Sequence, residues 1–289
     1  SSAASDVYKR QALASPAKTT TPSGPTPPPA VMPFDAAAAK AHQEAWAKYL
    51  GEPIEITNAI GMKLIVIPPG EFVMGKEKVA VTLTKPFRLG VHEVTQGQWR
   101  AVMTTEPWAT RKDWPHGANF PAFDITWHNA VAFCQKLTEQ ERAAGRIPSE
   151  QEYRLPTEAE WEFACRAGTA TPGFIEGEAL GDYAWYSKNA ADVGEAYPHE
   201  VGLKRPNPWG LYDPYGNVDE WCLDDFDHVG PLPGGSDPRV QAEGNGRVRK
   251  GGQSHTAPRH ISSVGRDGRP ADSTFGGPGF RVALVRTTD

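Results

Sequence analysis

A run of polar and reactive side chains lies directly after the Gly-Gly pair at positions 251 and 252. Within the following segment, residues 253–261, four residues are candidates for the lining of a cleft: Ser254, His255, Arg259 and His260. Ser254 and His255 are not expected to act as nucleophile and base. Sequence neighbours rarely present their side chains to each other, and no G-x-S-x-G context surrounds the serine.

His255 and His260 are the residues of this segment that bind metals most readily. They lie five positions apart, and imidazole is a ligand for copper, zinc and iron. Two imidazoles alone make an incomplete site, for which His228 or Asp227 is a candidate third ligand. The alternative is that both histidines lie at the rim of a binding groove, and we favour this second interpretation.

Cationic residues are concentrated around the same segment: Arg249, Lys250, Arg259, Arg266 and Arg269. Guanidinium groups pair with planar oxyanions through two parallel hydrogen bonds. The cluster therefore suits a groove for carboxylate or sulfate groups. Asp267 and Asp272 lie among the cations, so a solvated set of charges that compensate one another is the competing interpretation.

A second chemical feature is the loop from Asp213 to Glu220, which combines carboxylates with a glycine turn. Calcium prefers carboxylate and carbonyl oxygens supplied by a flexible loop. We expect a calcium site here, against the alternative of a turn in which the Asp213 side chain caps the backbone without an ion. Three further carboxylates are candidates for more ion ligands or for a solvated acidic loop, and we favour the loop: Asp224, Asp225 and Asp227.

The composition limits the classes of protein to which these features can belong. Gly and Pro contribute 29 and 27 of the 289 residues, which favours turn-rich loops over a helical bundle. The net charge of −5 argues against a nucleic-acid-binding protein. No apolar run reaches the ~18 residues that span a bilayer. Cys134, Cys165 and Cys222 lack metal-ligand spacing and fit buried thiols.

The chain divides into three parts. Residues 1–33 are rich in Ala, Ser, Thr and Pro, so we predict a disordered tether, of the kind that joins a domain to an upstream one. Residues 34–52 are predicted to form a helix, with Asp35 as N-cap and Gly51 just past its end. Residues 53–289 form the main domain.

Short strands and a few helices must position these side chains. Strands are predicted at residues 62–68, 72–74, 79–83 and 87–92, and closing strands near 248 and 280–285. Thr95, Thr126 and Thr157 precede predicted helices, and Thr157 with Glu160 makes a capping box. Periodicity fades over residues 170–246. We therefore predict an irregular α+β domain with little regular secondary structure.

Eight phrases in order resemble the formylglycine-generating-enzyme, or sulfatase-modifying-factor, family over residues 53–285. They are GMK at 61–63 through IPPGEFVMG at 67–75, EVTQGQW at 93–99, AVAFC at 130–134, YRLPTEAEWEFACR at 153–166, PNPWGLYD at 206–213, GNVDEW at 216–221, RVRKGG at 247–252 and GFR at 279–281. The resemblance implies a variant of the C-type lectin fold.

The resemblance also implies what is missing. In this family, two cysteines after the Gly-Gly pair bind copper(I) and activate oxygen to oxidise a substrate cysteine, and soft thiolates suit that ion. Thr256 and Ile261 stand at the corresponding positions. Neither is a soft ligand, so we expect neither formylglycine formation nor copper or iron as a cofactor.

For the acidic loop, the resemblance implies a structural calcium ion. Its ligands would be the side chains of Asp213 and Glu220 and the carbonyl oxygens of Gly216 and Val218. The family often has asparagine at the position of Asp213. The aspartate adds a negative charge, which should favour a divalent cation. A second calcium site of the family would fall near residues 185–192.

Together these observations favour a non-catalytic module that binds an unidentified protein or a small polar ligand, without nucleic acid or a membrane span. The alternative is a metal-dependent oxidoreductase of the same family, using iron or copper, or generating formylglycine with displaced ligands. We expect a bacterial protein located outside the cytoplasm.

Overall fold

The computed structural model describes residues 22–172, 180–227, 230–242, 244 and 246–287. The helices in these ranges are α1 (Ala36–Leu50), α2 (Gln96–Val102), α3 (Trp127–Ala143), α4 (Glu158–Arg166) and α5 (Leu180–Tyr183). The strands are β1 (Ala30–Val31), β2 (Glu55–Thr57), β3 (Lys63–Ile67), β4 (Gly70–Met74), β5 (Val79–Leu83), β6 (Phe87–Gly90), β7 (Gln151–Arg154), β8 (Glu220–Asp225), β9 (Gly235–Ser236), β10 (Gly246–Lys250), β11 (Asp267–Pro270) and β12 (Ala283–Arg286). Short helices and short strands joined by long loops confirm the α+β prediction.

The strands form three sheets. The largest has the order β2-β3-β6-β12-β7 with antiparallel neighbours throughout. A second sheet has the order β1-β4-β5-β9, in which only the central pair is antiparallel. The third, β11-β10-β8, is antiparallel and carries the segment of interest.

The starts of α1 to α4 are the ones that the sequence predicts, whereas α5 was not predicted. In α4, the Thr157 hydroxyl accepts from the Glu160 amide, and the Glu160 carboxylate accepts from the Thr157 amide at 2.8 Å. Arg154, at the end of β7, donates to both oxygens of the same carboxylate at 2.6 and 2.7 Å. This one carboxylate therefore fixes the angle between β7 and α4. Thr95 and Gln98 form the same reciprocal box at α2, whereas at α3 the Thr126 hydroxyl accepts from the Asn129 amide without a return bond.

Aromatic side chains fill the interior. Trp99 stacks on Phe133 of α3 with ring centroids 5.6 Å apart, and Phe280 packs edge-on against both rings. A second cluster forms around Phe163 and Trp209. These buried rings join α3 and α4 to the strands and the loops, so that loops without regular structure are held by packing.

Residues 22–33 differ from the predicted tether. The Ser23 amide donates to the Tyr49 carbonyl oxygen, and the Trp46 indole donates to the Pro28 carbonyl oxygen. Ala30 is fully buried in β1, which pairs with β4. The expectation of disorder is therefore corrected for residues 22–33, whereas residues 1–21 lie outside the described residues.

The helix predicted within residues 34–52 is confirmed. Asp35 caps α1 by accepting from the Ala38 amide at 2.8 Å, and Gly51 ends it in the left-handed conformation. In the part of the chain that the structure describes, no helix has the length and apolar character that crossing a membrane requires.

Candidate functional site

The predicted cleft is an open cavity of about 400 Å³, lined by the end of β10, the segment that follows it and the start of β11. Strand β10 ends at Lys250, and both following glycines have positive φ, 95° at Gly251 and 83° at Gly252. This backbone conformation strains other residue types and turns the chain away from the sheet. Residues 253–266 then form the wall of the cavity before the chain returns as β11.

Thr256 and Ile261 face each other across Gly252. A Cβ atom built on Gly252 would lie 2.8 Å from Ile261 Cδ1 and 3.4 Å from Thr256 Oγ1. The Thr256 hydroxyl accepts from the Gln253 amide at 2.8 Å, and Ile261 packs against the cluster around Trp161. The two positions at which the resemblance implies cysteines are therefore close together, and a hydroxyl and an aliphatic chain occupy them. Such a pair does not fit copper(I), which selects thiolates.

Three of the four predicted cleft residues line this cavity. His255, Arg259 and His260 do so with exposed side chains. Ser254 is 2% exposed and lies beneath the lining, where its amide donates to the Asn217 carbonyl oxygen. Desolvation lowers the pKa of His255 below its usual value, which favours the neutral ring at pH 7.

Two residues, Asp227 and His228, were candidates for a third metal ligand beside the two histidines. Asp227 does not line the cavity, and His228 lies outside the described residues. Among the residues that the structure describes, no three His, Cys, Asp or Glu side chains come together as a potential metal site.

The floor of the cavity is an unusual buried ion network. Lys250 is 1% exposed, and its Nζ lies 3.3 Å from Glu158 Oε1 and 3.2 Å from Glu162 Oε2. Burial disfavours the charged amine, but Glu162 and Glu158 outweigh it, so the pKa of Lys250 is raised. Arg266 donates from Nε to Glu158 at 2.7 Å. Helix α4 therefore supplies the carboxylates that hold Lys250 and Arg266 in place.

Arg249 is also buried, at 1% exposure. It donates to the Phe275 carbonyl oxygen at 2.8 Å and to Asp267. Asp219, behind it, accepts from the Gln253 amide nitrogen Nε2, and burial raises the pKa of Asp219 to about 6. The competing interpretation, a solvated set of charges, is therefore wrong for Arg249 and Lys250.

In the predicted calcium loop, Glu220 is heavily engaged. Arg281 donates to Oε1 and Oε2 at 2.6 Å each, and the Trp161 indole donates to Oε2 at 2.7 Å. A carboxylate offers about four acceptor positions, so Oε1 keeps one. Gly216 and Val218 lie in the same buried loop. Calcium bound by these residues stays a prediction.

Asp213 fits a cation better than Glu220 does. Its Oδ2 accepts from the Gly202 amide at 2.7 Å, whereas the buried Oδ1 has no partner among the described residues. Glu93, which the sequence did not mark as a site residue, leaves Oε2 unpaired in the same neighbourhood. Burial first, and the Asp213 and Glu220 charges second, raise the pKa of Glu93. Such orphaned buried oxygens are what a hard cation requires.

The acidic run after Cys222 differs from its prediction. Asp224 is 2% exposed and accepts from the amides of Glu158 and Val240 at 2.7 and 2.8 Å. Asp225 pairs with Arg247. A solvated loop is therefore wrong for both, because they lie on β8 with partners far away in sequence.

The predicted buried thiols are confirmed: Cys134, Cys165 and Cys222 are buried and free. Burial raises the pKa of all three thiols, in Cys165 to about 12. The reactive thiolate form is therefore disfavoured at neutral pH.

Comparison with known proteins agrees with this geometry. The family model described as the sulfatase-modifying factor enzyme 1-like domain matches residues 55–286. The chain belongs to this family, and the resemblance drawn from the sequence phrases is confirmed.

Similar proteins carry different names. Chaperone protein LppX of Paenibacillus barcinonensis is 27% identical over 208 residues, which are 57% of this chain and 72% of the relative. The formylglycine-generating enzyme of Streptomyces coelicolor is 30% identical over 237 residues, 76% of this chain and 66% of the enzyme. The structure of Treponema denticola variable protein 1 superposes with a TM-score of 0.69 at 27% identity, covering 80% of this chain and 99% of that protein.

Proposed function

We propose that this chain is a non-catalytic member of its family, which uses the cavity walled by residues 253–266 to bind a polar ligand or a partner protein. The observation that carries the proposal is the convergence of Thr256 and Ile261 on Gly252. The positions of the catalytic pair are held together by the fold, and neither side chain is a thiol. The scaffold and the cavity are therefore kept, while the soft ligands are replaced.

The names of the relatives support a binding role within this family. One relative is named a chaperone protein and another a formylglycine-generating enzyme, so the same domain occurs under a binding name and under an enzymatic one. The lining of the cavity is mainly polar and charged, which suits a ligand with charged or hydrogen-bonding groups.

A direct test uses a peptide with the cysteine-containing sulfatase motif. The purified chain is incubated with this peptide, copper(I) and oxygen, and the peptide mass is followed, with an active family enzyme in parallel. We expect the peptide mass to stay unchanged with this chain and to fall with the active enzyme. A peptide that loses mass at its cysteine in the presence of this chain would overturn the proposal.

The competing function is a metal-dependent oxidoreductase. It depends on His255 and His260, whose exposed side chains both line the cavity. Those two imidazoles are the specific observation in its favour, and a metal analysis separates the two functions.

A further inference from the structure

We propose that the cavity holds an oxyanion, meaning a carboxylate, phosphate or sulfate group of its ligand, against the guanidinium groups of Arg249 and Arg266. This inference rests on the binding function proposed above and names the chemistry of the ligand. It follows from three features of the lining: an excess of positive charge, donor nitrogens that have no partner, and cations at the rim that have no carboxylate partner.

The first feature is the charge of the lining. Six of the lining residues are cationic: Lys76, Arg249, Lys250, Arg259, Arg266 and Arg269. The lining also contains two carboxylates, Asp219 and Asp267. Glu158 and Glu162 lie behind the wall and compensate Lys250 together with Arg166 and Arg266. Even with all four carboxylates ionised, the cations outnumber them. A cleft whose lining has an excess of one sign concentrates ions of the opposite sign.

The second feature is a pair of orphaned donors. Arg249 Nε and Arg266 Nη2 are buried and have no hydrogen-bond partner among the described residues. Other nitrogens of the same two guanidinium groups are already bound. Those of Arg249 donate to Phe275 and Asp267, and Nε of Arg266 donates to Glu158. Each unpaired N–H is thus held in place before any ligand enters. A buried donor without a partner is unfavourable, and an oxyanion accepts charge-assisted hydrogen bonds from guanidinium donors of this kind.

The third feature lies at the rim. Within the described ranges, neither Arg259 nor Lys76 has a carboxylate within ion-pair distance. The side chain of Arg259 is exposed, so it is available to an anion that approaches from solvent. Arg269 is shared between Asp267 and the ring of Phe275, whose centroid is 5.0 Å from the guanidinium carbon. An anionic group that enters from solvent would therefore meet the exposed cations of the rim first and the buried guanidinium groups of Arg249 and Arg266 next.

The test is an NMR titration of the whole chain with inorganic phosphate, sulfate and succinate in separate arms, at constant ionic strength with sodium chloride as reference. We expect saturable shifts of amide signals within residues 249–269 in at least one arm. The arm with the tightest binding identifies the class of oxyanion. Shifts that do not saturate in any arm, or that scatter over the surface, would overturn the inference.

Two variants locate the site. Arg266→Gln should weaken binding by at least about tenfold, which corresponds to about 1.4 kcal/mol, because it removes a charge-assisted hydrogen bond to the anion. Arg259→Gln, at an exposed position that does not endanger folding, should weaken binding by a smaller factor. Arg205→Gln is the matched control, since Arg205 is 69% exposed, pairs with Asp182 and does not line the cavity.

Equal weakening by Arg205→Gln and Arg259→Gln would show a general charge effect and would contradict the site. The outcome is also separable from that of the proposed function. An unchanged sulfatase-motif peptide with no saturable anion binding refutes this inference and leaves the non-catalytic role standing. A converted peptide refutes the proposed function whatever the titration gives.

Discussion

Replacing Lys250 by methionine should strongly destabilise the fold, because the ammonium group holds two buried carboxylates together. Its Nζ lies 3.3 Å from Glu158 and 3.2 Å from Glu162, and the three side chains are at most 1% exposed. Methionine keeps an unbranched apolar chain of similar length, so the loss of charge is the main change. Removing one partner of a buried ion pair costs about 3–5 kcal/mol.

The lower end of that range applies here. Glu162 keeps Arg166 at 2.8 Å, and Glu158 keeps Arg266 at 2.7 Å, so neither carboxylate is left alone. We therefore expect the free energy of unfolding to fall by about 3 kcal/mol, which lowers Tm by roughly 6–12 °C for a domain of this size.

Urea and thermal unfolding followed by circular dichroism measure this loss. Lys40→Met is the matched control, since Lys40 is 74% exposed and lies 3.9 Å from Glu44, and a surface pair contributes at most about 1 kcal/mol. Combining Lys250→Met with Glu158→Gln should cost less than the sum of the single changes, with a coupling of about 0.5–3 kcal/mol. A loss below about 1 kcal/mol for Lys250→Met, or additivity in the pair, would refute the reasoning.

Three further predictions concern pH, calcium and copper. Stability should rise as pH is lowered from 7 to 5, because burial raises the pKa of Asp219 and Asp224 to about 6. The pKa of Asp in the unfolded chain is ~3.9, so over this interval the folded state takes up protons and the unfolded state does not. The cost of burying these two charges then disappears. Calcium added after chelation should raise Tm, because binding at a hundredfold excess over Kd adds about 2.7 kcal/mol to the free energy of unfolding. Asp213→Asn should reduce this effect. The pair Thr256→Cys with Ile261→Cys should bind copper(I) or form a disulfide, whereas each single change should do neither.

Each of these has a clear contrary result. A Tm that falls between pH 7 and pH 5 would contradict the assignment of buried, ionised carboxylates. Equal Tm values with chelator and with calcium would remove the proposed calcium site. If the double cysteine variant showed free thiols under oxidising conditions and bound no copper(I), the two positions would not face each other as described.

Local sequence rules predicted the framework. The threonine before α4, with Glu160 three residues later, marked a helix start because the two groups satisfy each other's amides within one turn. Gly251 and Gly252 permit positive φ for a similarly local reason, and the structure has positive φ at both positions. Strand β8 escaped prediction because its run of carboxylates has no strand-like pattern, and partners such as Arg281 and Arg247 come from distant parts of the chain.

The site was predictable in its position but not in its electrostatics. The cavity formed where the phrase after the Gly-Gly pair indicated, and His255 and Arg259 line it. The burial of Lys250 was not predictable, because the carboxylates that compensate it lie on α4, 88 and 92 residues away in sequence. Residues 22–33 illustrate the reverse case: composition predicted disorder, and a few contacts with α1 and β4 hold the segment in place.

The central claim is that the chain keeps the family scaffold and lacks its redox metal chemistry. The most direct measurement is elemental analysis of the purified chain after reconstitution with copper(I) and with iron(II) and removal of the excess. We predict that neither metal remains in stoichiometric amount. One copper or iron ion retained per chain, and lost when His255 and His260 are both replaced by alanine, would contradict the account.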